Sequence, residues 1–172
     1  LSAIAVSAGP GSYTGLRVGM ATAKGLAYAL GIPMISISTL EIMAIAAMSI
    51  WGNKEKTGKL LLVPMIDARR MEVFTAVYDD TIKTILSPQA MIPDENSFNT
   101  WINDYKMLFF GNGHEKCKIF LHHPNACFDH INFGATDMVK LSFSKFQSGK
   151  FDDLAYAEPF YTKDFYTSAK KM

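Results

Sequence analysis

The chain has 172 residues, of which 49% are hydrophobic and 19% are charged, a balance typical of a globular protein with a substantial core. The formal net charge of +1 gives no general attraction to nucleic acid, so any contact with RNA has to come from a local patch. Two cysteines exclude a disulfide scaffold, and the sequence has neither an apolar run of membrane-spanning length nor a signal peptide. We therefore expect a cytoplasmic protein without a membrane partner.

The first predicted unit is a strand, a glycine-rich loop and a helix. Residues 4–6 are apolar, and two of them are β-branched, which favours a buried strand. The Gly-Pro-Gly sequence at 9–11 cannot continue a strand or a helix, so the chain has to turn there. Ser12 or Thr14 can cap the helix that follows, and Gly31 is a matching stop.

A loop of this kind directs backbone N–H groups and the positive end of a helix at one point, which suits an anion. Three known loop patterns do not fit it. A P-loop requires a lysine after its last glycine, where Leu16 follows Gly15. A dinucleotide fingerprint requires a glycine where Thr14 stands, and a nucleophile elbow requires glycines two residues on either side of Ser12. The alternatives are an anion site of another kind and a purely structural turn, and the loop residues concerned are Gly9, Gly11, Ser12, Thr14 and Gly15.

The helix after the loop carries only two charges and is apolar nearly all round, which predicts that more than one of its sides is covered. One apolar stripe contains Leu16, Met20, Ala23, Ala27 and Leu30, and a second contains Val18, Ala21, Gly25 and Ala29. Small residues recur every four positions from Gly15, so a second helix could approach closely. We predict a partner surface made of Arg17, Gly19, Met20, Ala23, Lys24, Ala27 and Tyr28, with an internal helix of the same chain as the alternative.

The rest of the chain alternates strands and helices. Apolar runs predict strands at 33–38, 60–65, 73–78, 82–86 and 107–110, and helical spacing predicts helices at 39–48 (capped by Thr39), 97–104 and 136–148. A polar loop at 51–59 is the best boundary, so we assign residues 1–50 to a first lobe and residues 51–172 to a second. We interpret Gly111-Asn112-Gly113 as a structural turn from strand to helix.

Few residues are placed for catalysis, and we assign none. Asp67 is the only acid directly after a strand and before a hairpin turn, and the alternative role for it is to bond its own turn. The four histidines at 114, 122, 123 and 130 form no pair at helical spacing, so we predict no metal site and no cofactor. A zinc-protease pattern starting at His114 fails because Lys118 stands at the second histidine position.

Several motifs together resemble the bacterial TsaB (YeaZ) family. The most specific is the sequence Gly-Pro-Gly-Ser-Tyr-Thr-Gly-Leu-Arg-Val-Gly at 9–19, followed by Ala-Lys-Gly-Leu-Ala at 23–27. Weaker matches are Ile-Asp-Ala-Arg-Arg at 66–70, Gly-Asn-Gly at 111–113 and Ala-Glu-Pro-Phe-Tyr at 157–161. They occur in the family's order over nearly the whole chain.

The resemblance implies an α/β protein with the ribonuclease-H-like, actin-like (ASKHA) fold of two lobes. Because the chain opens at Leu1 directly before a buried strand, we expect the first lobe to be incomplete at its N-terminus. The family's role implies a non-catalytic subunit in the synthesis of tRNA threonylcarbamoyladenosine (t6A) at position 37. It would bind the catalytic TsaD protein, join TsaE in the full complex, contact tRNA indirectly and form a homodimer through the same helical face.

Two other functions stay open at this point. One is an actin-like nucleotide-binding ATPase or transferase that uses the loop at 9–14 and the turn at 111–113 on phosphates. The other is a glycoprotease-like peptidase, in which Ser12 is well displayed, although the sequence gives no reason for a histidine to lie beside it.

Overall fold

The computed structural model of the chain describes residues 1–52 and 59–162, so most of the predicted loop at 51–59 lies outside the described residues. In the first lobe, β1 (Ile4–Gly9) and β2 (Met34–Ser38) pair in parallel, and α1 (Tyr13–Leu30) connects them. A parallel pair needs a crossover of this kind, because its two strands run in the same direction.

A five-stranded sheet follows in the chain, and the sequence predicted four of its five strands. The strands are β3 (Leu60–Asp67), β4 (Val73–Tyr78), β5 (Thr84–Met91), β6 (Lys106–Phe110) and β7 (Ala126–Asp129), in the spatial order β5-β4-β3-β6-β7. The first three strands are antiparallel neighbours, and β6 and β7 continue the sheet in parallel. This arrangement confirms the ribonuclease-H-like fold.

Some predicted boundaries were wrong. Strand β5 begins at Thr84 and not at 82, because Ile82 has a left-handed φ of 64° in the preceding turn. The helix predicted at 97–104 is the short α3 (Asn99–Ile102), followed after β6 by α4 (His114–Lys118). Strand β7 was missed because its four residues are only partly buried and have no distinct apolar run.

The five-stranded sheet is covered on both faces, which explains why β3 is continuously apolar. Leu60 and Leu62 pack on one face beneath α2 (Thr39–Trp51). Leu61 and Val63 point to the other face, where they pack with residues of α3 and α4. The side chains alternate because successive residues of a strand point to opposite faces.

The caps of α1 agree with the prediction, whereas the cap of α2 does not. The Ser12 hydroxyl accepts a hydrogen bond from the N–H of Gly15 at 3.3 Å, and Gly31 ends the helix in a left-handed conformation. Thr39 is the first residue of α2 and not its cap. Its hydroxyl lies 2.7 Å from that of Ser7, so it ties α2 to β1.

The end of the chain returns to the first lobe. Helix α5 (Val139–Gln147), which follows a 3-10 turn at Ala135–Met138, packs on β2. The Asp152 carboxylate then accepts hydrogen bonds from the N–H and the hydroxyl of Ser36. Within residues 1–52 and 59–162, no helix is both long enough and apolar enough to cross a bilayer.

Candidate functional site

An open cleft of about 560 Å³ lies where the glycine-rich loop meets the five-stranded sheet. Its walls include the loop residues 10–12, Thr39 of α2, the turn residues Gly111 and Asn112, and the segment 130–133 after β7. The two turns that the sequence presented as separate motifs therefore face the same space. Folding places them together because each follows the carboxyl end of a strand.

The cleft is nearly uncharged. Among the described residues that line it there is no lysine, arginine, aspartate or glutamate, and His130 is the one titratable side chain. The N-terminus of α1 reaches the cleft, but the N–H groups of Gly15 and Leu16 are already bonded to the side chain and the carbonyl of Ser12. An anion there would depend on the remaining loop N–H groups and the helix dipole.

The Gly111-Asn112-Gly113 turn is held by bonds to the end of β3. Asn112 accepts a hydrogen bond from the N–H of Asp67 at 2.9 Å, and the Gly113 N–H donates to the carbonyl of Met65 at 3.0 Å. Gly111 has a φ of 94°, and a Cβ there would lie 2.4 Å from the same carbonyl. These contacts agree with the structural role that the sequence predicted for the motif, and the absence of a nucleotide at this turn stays a prediction.

Asp67 is the last residue of β3, and it is not among the described residues that line the cleft. Its carboxylate accepts a hydrogen bond from the Lys116 ammonium at 2.9 Å and one from the Arg69 N–H at 2.6 Å. The hydrogen bond from Lys116 first, and then that from Arg69, lower the pKa of Asp67 below its usual range. Asp67 therefore stabilises its own turn, which is the alternative that the sequence left open for it.

The structure brings together two histidines that are far apart in the sequence. His114 in α4 and His130 after β7 have ring centroids 4.9 Å apart, and Glu115 lies beside them. The absence of helical spacing led us to predict no metal site, but a donor set can also be assembled from separate elements. Only the pairing of β6 with β7 places these residues side by side.

The predicted partner surface needs correction at three positions. Met20, Ala23 and Ala27 are buried, and they pack with Ala8 and Met34 inside the first lobe. Their side chains are therefore covered by the chain itself and cannot form an exposed surface.

Arg17 and Lys24 of the same predicted surface contact the C-terminal segment. The Lys24 ammonium donates to the carbonyls of Ala157, at 2.9 Å, and of Ala155. The Arg17 side chain stacks over the Tyr13 ring and donates a hydrogen bond to the Tyr161 hydroxyl. These bonds account for the motif at 157–161. Residues 157–161 lie against α1, and we call this segment the C-terminal strap.

The same strap explains why position 9 is a glycine. The Phe160 N–H donates to the carbonyl of Ala8 at 2.7 Å, which brings the two chain segments into close contact. A Cβ on Gly9, whose φ is 111°, would lie 2.7 Å from the carbonyl oxygen of Phe160. The first and the last motif of the chain are thus one packed unit.

The exposed side of α1 is the second apolar stripe. Val18 is 61% exposed, Tyr28 is 83% exposed, and Ala21 and Ala29 are exposed with them. At Gly25 an added Cβ would meet no atom within 4 Å, so this side is open. Gly19 lies between the two sides of the helix, with Val6 3.9 Å from the place of a Cβ.

Comparisons with known proteins agree with this architecture. Residues 1–158 match the family model described as TsaD, tRNA N6-adenosine threonylcarbamoyltransferase. The tRNA threonylcarbamoyladenosine biosynthesis protein TsaB of Bacillus subtilis is 38% identical over 117 residues, which are 64% of this chain and 46% of that protein. TsaB of Escherichia coli is 44% identical over 78 residues, 45% of this chain and 31% of that protein. The chain thus spans less than half the length of either relative.

Two solved structures have the same fold. YeaZ from Pseudomonas aeruginosa superposes with a TM-score of 0.75 at 27% identity, covering 94% of this chain and 74% of that one. A protein described as uncharacterized, with similarity to peptidase YEAZ from the same organism, has a TM-score of 0.81 at 25% identity, covering 95% of this chain and 74% of that one. With the motifs at 9–19 and 157–161, these matches show that the chain belongs to the TsaD family and, within it, resembles the TsaB (YeaZ) proteins.

Proposed function

We propose that the chain is a non-catalytic interaction subunit of the tRNA t6A37 threonylcarbamoyltransferase complex. In this proposal the exposed side of α1 binds TsaD, TsaE joins the assembled complex, and tRNA is reached through TsaD. The observation that carries the proposal is the open apolar stripe on α1, together with the resemblance to TsaB proteins of threonylcarbamoyladenosine biosynthesis.

The composition of the stripe favours a helix as the binding element. Ala21, Gly25 and Ala29 are small and exposed, so the axis of a second helix could come closer than large side chains would allow. Val18 and Tyr28 flank them and supply apolar surface for the partner to bury. The core side of α1 is already packed against its own sheet, which leaves this side for the partner.

The arrangement of charges favours a role without intrinsic catalysis. An actin-like ATPase needs acidic groups in its cleft that hold the metal and position the attacking water. The cleft of this chain has no acid among its described lining residues, and Asp67 is engaged with Lys116 at the neighbouring turn.

The test is to mix the purified chain with TsaD in a calorimetric titration and, separately, to incubate the chain with ATP, magnesium and tRNA. We expect saturable binding in the first experiment and no product above a buffer control in the second. Nucleotide or peptide turnover that disappears in an Asp67→Asn or Ser12→Ala variant would contradict the proposal. Size-exclusion chromatography with light scattering would report a homodimer, which we expect TsaD to dissociate because both use one surface.

A second candidate function is nucleotide binding in the cleft, and a specific observation favours it. The glycine-rich loop and the Gly111-Asn112 turn line one cavity, the arrangement that a phosphate chain between two lobes requires. A Cβ on Gly11 would be 3.9 Å from Leu16, so Gly11→Val adds bulk to the loop that lines the cleft. The matched control is Gly25→Val, which adds the same bulk on the exposed side of α1. If Gly11→Val weakens nucleotide binding and Gly25→Val does not, the result supports this function. If both variants bind the nucleotide equally, the nucleotide binds elsewhere.

A further inference from the structure

We propose that His114, Glu115 and His130 form a binding site for a divalent transition-metal ion, and that Zn²⁺ best suits their donor atoms. One ligand atom from each of the three side chains lies within 4.8 Å of the others. Two imidazoles and one carboxylate are a ligand set that zinc uses in proteins, with a fourth position left for water or another small ligand. The inference does not depend on the proposed role as an interaction subunit.

His114 has the orientation that a metal ligand requires. It is buried, and its Nδ1 bonds the carbonyl of Gly111, so this nitrogen carries the proton. In the neutral ring the other nitrogen, Nε2, carries the lone pair, and it faces Glu115, whose Oε1 lies 3.1 Å away. A histidine that ligates a metal through one nitrogen commonly donates from the other to a carbonyl or carboxylate, which fixes the ring.

The separation of the first two donors suits a tetrahedral ion. His114 Nε2 and Glu115 Oε1 are 3.1 Å apart. With zinc bonds of about 2.0–2.1 Å, two ligands at a tetrahedral angle are separated by about 3.3 Å. Glu115 and His130 are both exposed, so small rotations of their side chains can bring all three donors to bonding distance while His114 stays fixed.

The surroundings of the site indicate what the ion would do. His130 also lines the interlobe cleft, so an ion held there would lie at the edge of the cleft. It would supply positive charge next to a cavity whose described lining has no lysine or arginine. Its open coordination position could then take a water molecule or an oxygen of an anionic ligand.

Within the described part of the chain, Lys118 competes with a metal ion for Glu115. The Lys118 ammonium lies 3.6 Å from the same carboxylate oxygen, and both side chains are more than half exposed. An exposed ion pair of this kind contributes little to stability, because water screens the two charges. Zinc should therefore displace Lys118 from the carboxylate, and a Lys118→Met variant should bind the ion at least as tightly as the parent.

The experiment uses the purified chain without an affinity tag, treated with a chelator and titrated with ZnCl₂ by calorimetry. We expect one bound ion per chain, and about tenfold or greater weakening in His130→Ala and in Glu115→Gln, the loss typical of removing a group that supports a metal. Both substituted side chains are exposed, so these variants should fold, which circular dichroism verifies. His122→Ala, at an exposed histidine outside the cluster, is the matched control and should bind as the parent does.

Cobalt gives a second measurement that reports geometry. Co²⁺ added to the parent should produce the intense visible absorption of a tetrahedral site, and His130→Ala should not show it. The proposal is overturned if zinc does not bind at about 0.1 mM, or if His130→Ala binds as tightly as the parent. It is also overturned if Co²⁺ gives only the weak spectrum of the hydrated ion.

Discussion

The strongest test of the partner surface is a charge on the exposed side of α1. We expect Val18→Asp to weaken binding to TsaD without unfolding the chain. Val18 is 61% exposed in the chain alone, so the substitution removes few contacts of the folded protein. In a complex the same side chain would lie against the partner, where a carboxylate has no counter-ion among the neighbouring small residues Ala21 and Gly25.

The magnitude follows from the exposed fraction. Complete burial of a valine is worth about 1.5–3 kcal/mol. Because 61% of Val18 remains to be buried, the partner gains about 1–2 kcal/mol from it. Loss of that contribution alone lowers the affinity about 5- to 30-fold, and desolvation of the new carboxylate adds to the effect.

The assay is a calorimetric titration of TsaD with the parent, with Val18→Asp and with a matched control. Val139→Asp is the control because Val139, at the start of α5, is 59% exposed and receives the same new charge outside α1. We expect it to bind as the parent does, and circular dichroism checks the fold of each variant. If folded Val18→Asp binds as tightly as the parent, or if both variants weaken binding equally, the exposed side of α1 is not the interface.

Four further outcomes are expected from the chain alone. Gly25→Ala should raise the free energy of unfolding by up to about 1 kcal/mol, because Gly25 is an exposed position inside a helix with open space around it. In contrast, Gly111→Ala should lower the free energy of unfolding by about 1–3 kcal/mol, because Gly111 has a φ of 94° and the added Cβ would meet a carbonyl. Urea denaturation measures both, and equal effects at the two sites would contradict this reading of the turn. The pKa of Asp67 is lowered in the folded chain, so the parent should be more stable than Asp67→Asn at pH 7. This difference in the free energy of unfolding should shrink as the pH falls below about 4, because the carboxyl of the unfolded chain protonates before that of the folded chain. A difference that is independent of pH would argue against the ion pair. Burial raises the pKa of Cys117 to about 12, so iodoacetamide at pH 8 should modify the partly exposed Cys127 much faster, and comparable rates by mass spectrometry would contradict the burial of Cys117.

The turns and helix ends of the chain could be predicted from the sequence, because each depends on only a few neighbouring residues. The turn at Gly9, the cap at Ser12 and the stop at Gly31 depend on the conformations that these few residues allow. The continuous apolar run at 60–65 likewise predicted a buried strand, which is β3 in the structure. The ribonuclease-H-like fold as a whole was implied by the family motifs.

The orientation of α1 was decided only by tertiary packing. Both of its stripes are apolar, so hydrophobicity alone does not tell which one faces the sheet. The sheet took the stripe with the larger side chains, Leu16 and Met20, which fill the space beside β1. The stripe with Val18 and Gly25 was left outside, which is why Met20, Ala23 and Ala27 of the predicted partner surface are buried.

Contacts between residues that are far apart in the sequence could not be predicted either, because they also depend on tertiary packing. Lys24 bonds the carbonyl of Ala157, and the ring of His114 meets that of His130, although no spacing rule connects the members of either pair. Such pairs are set by the register of strands and by the path of the C-terminal strap, which depend on the whole core. The sequence by itself indicated most of the elements, with β7 as the exception, because their causes are local. The packing of the whole chain decided which side chains line the cleft, hold the C-terminal segment against α1 and stay exposed.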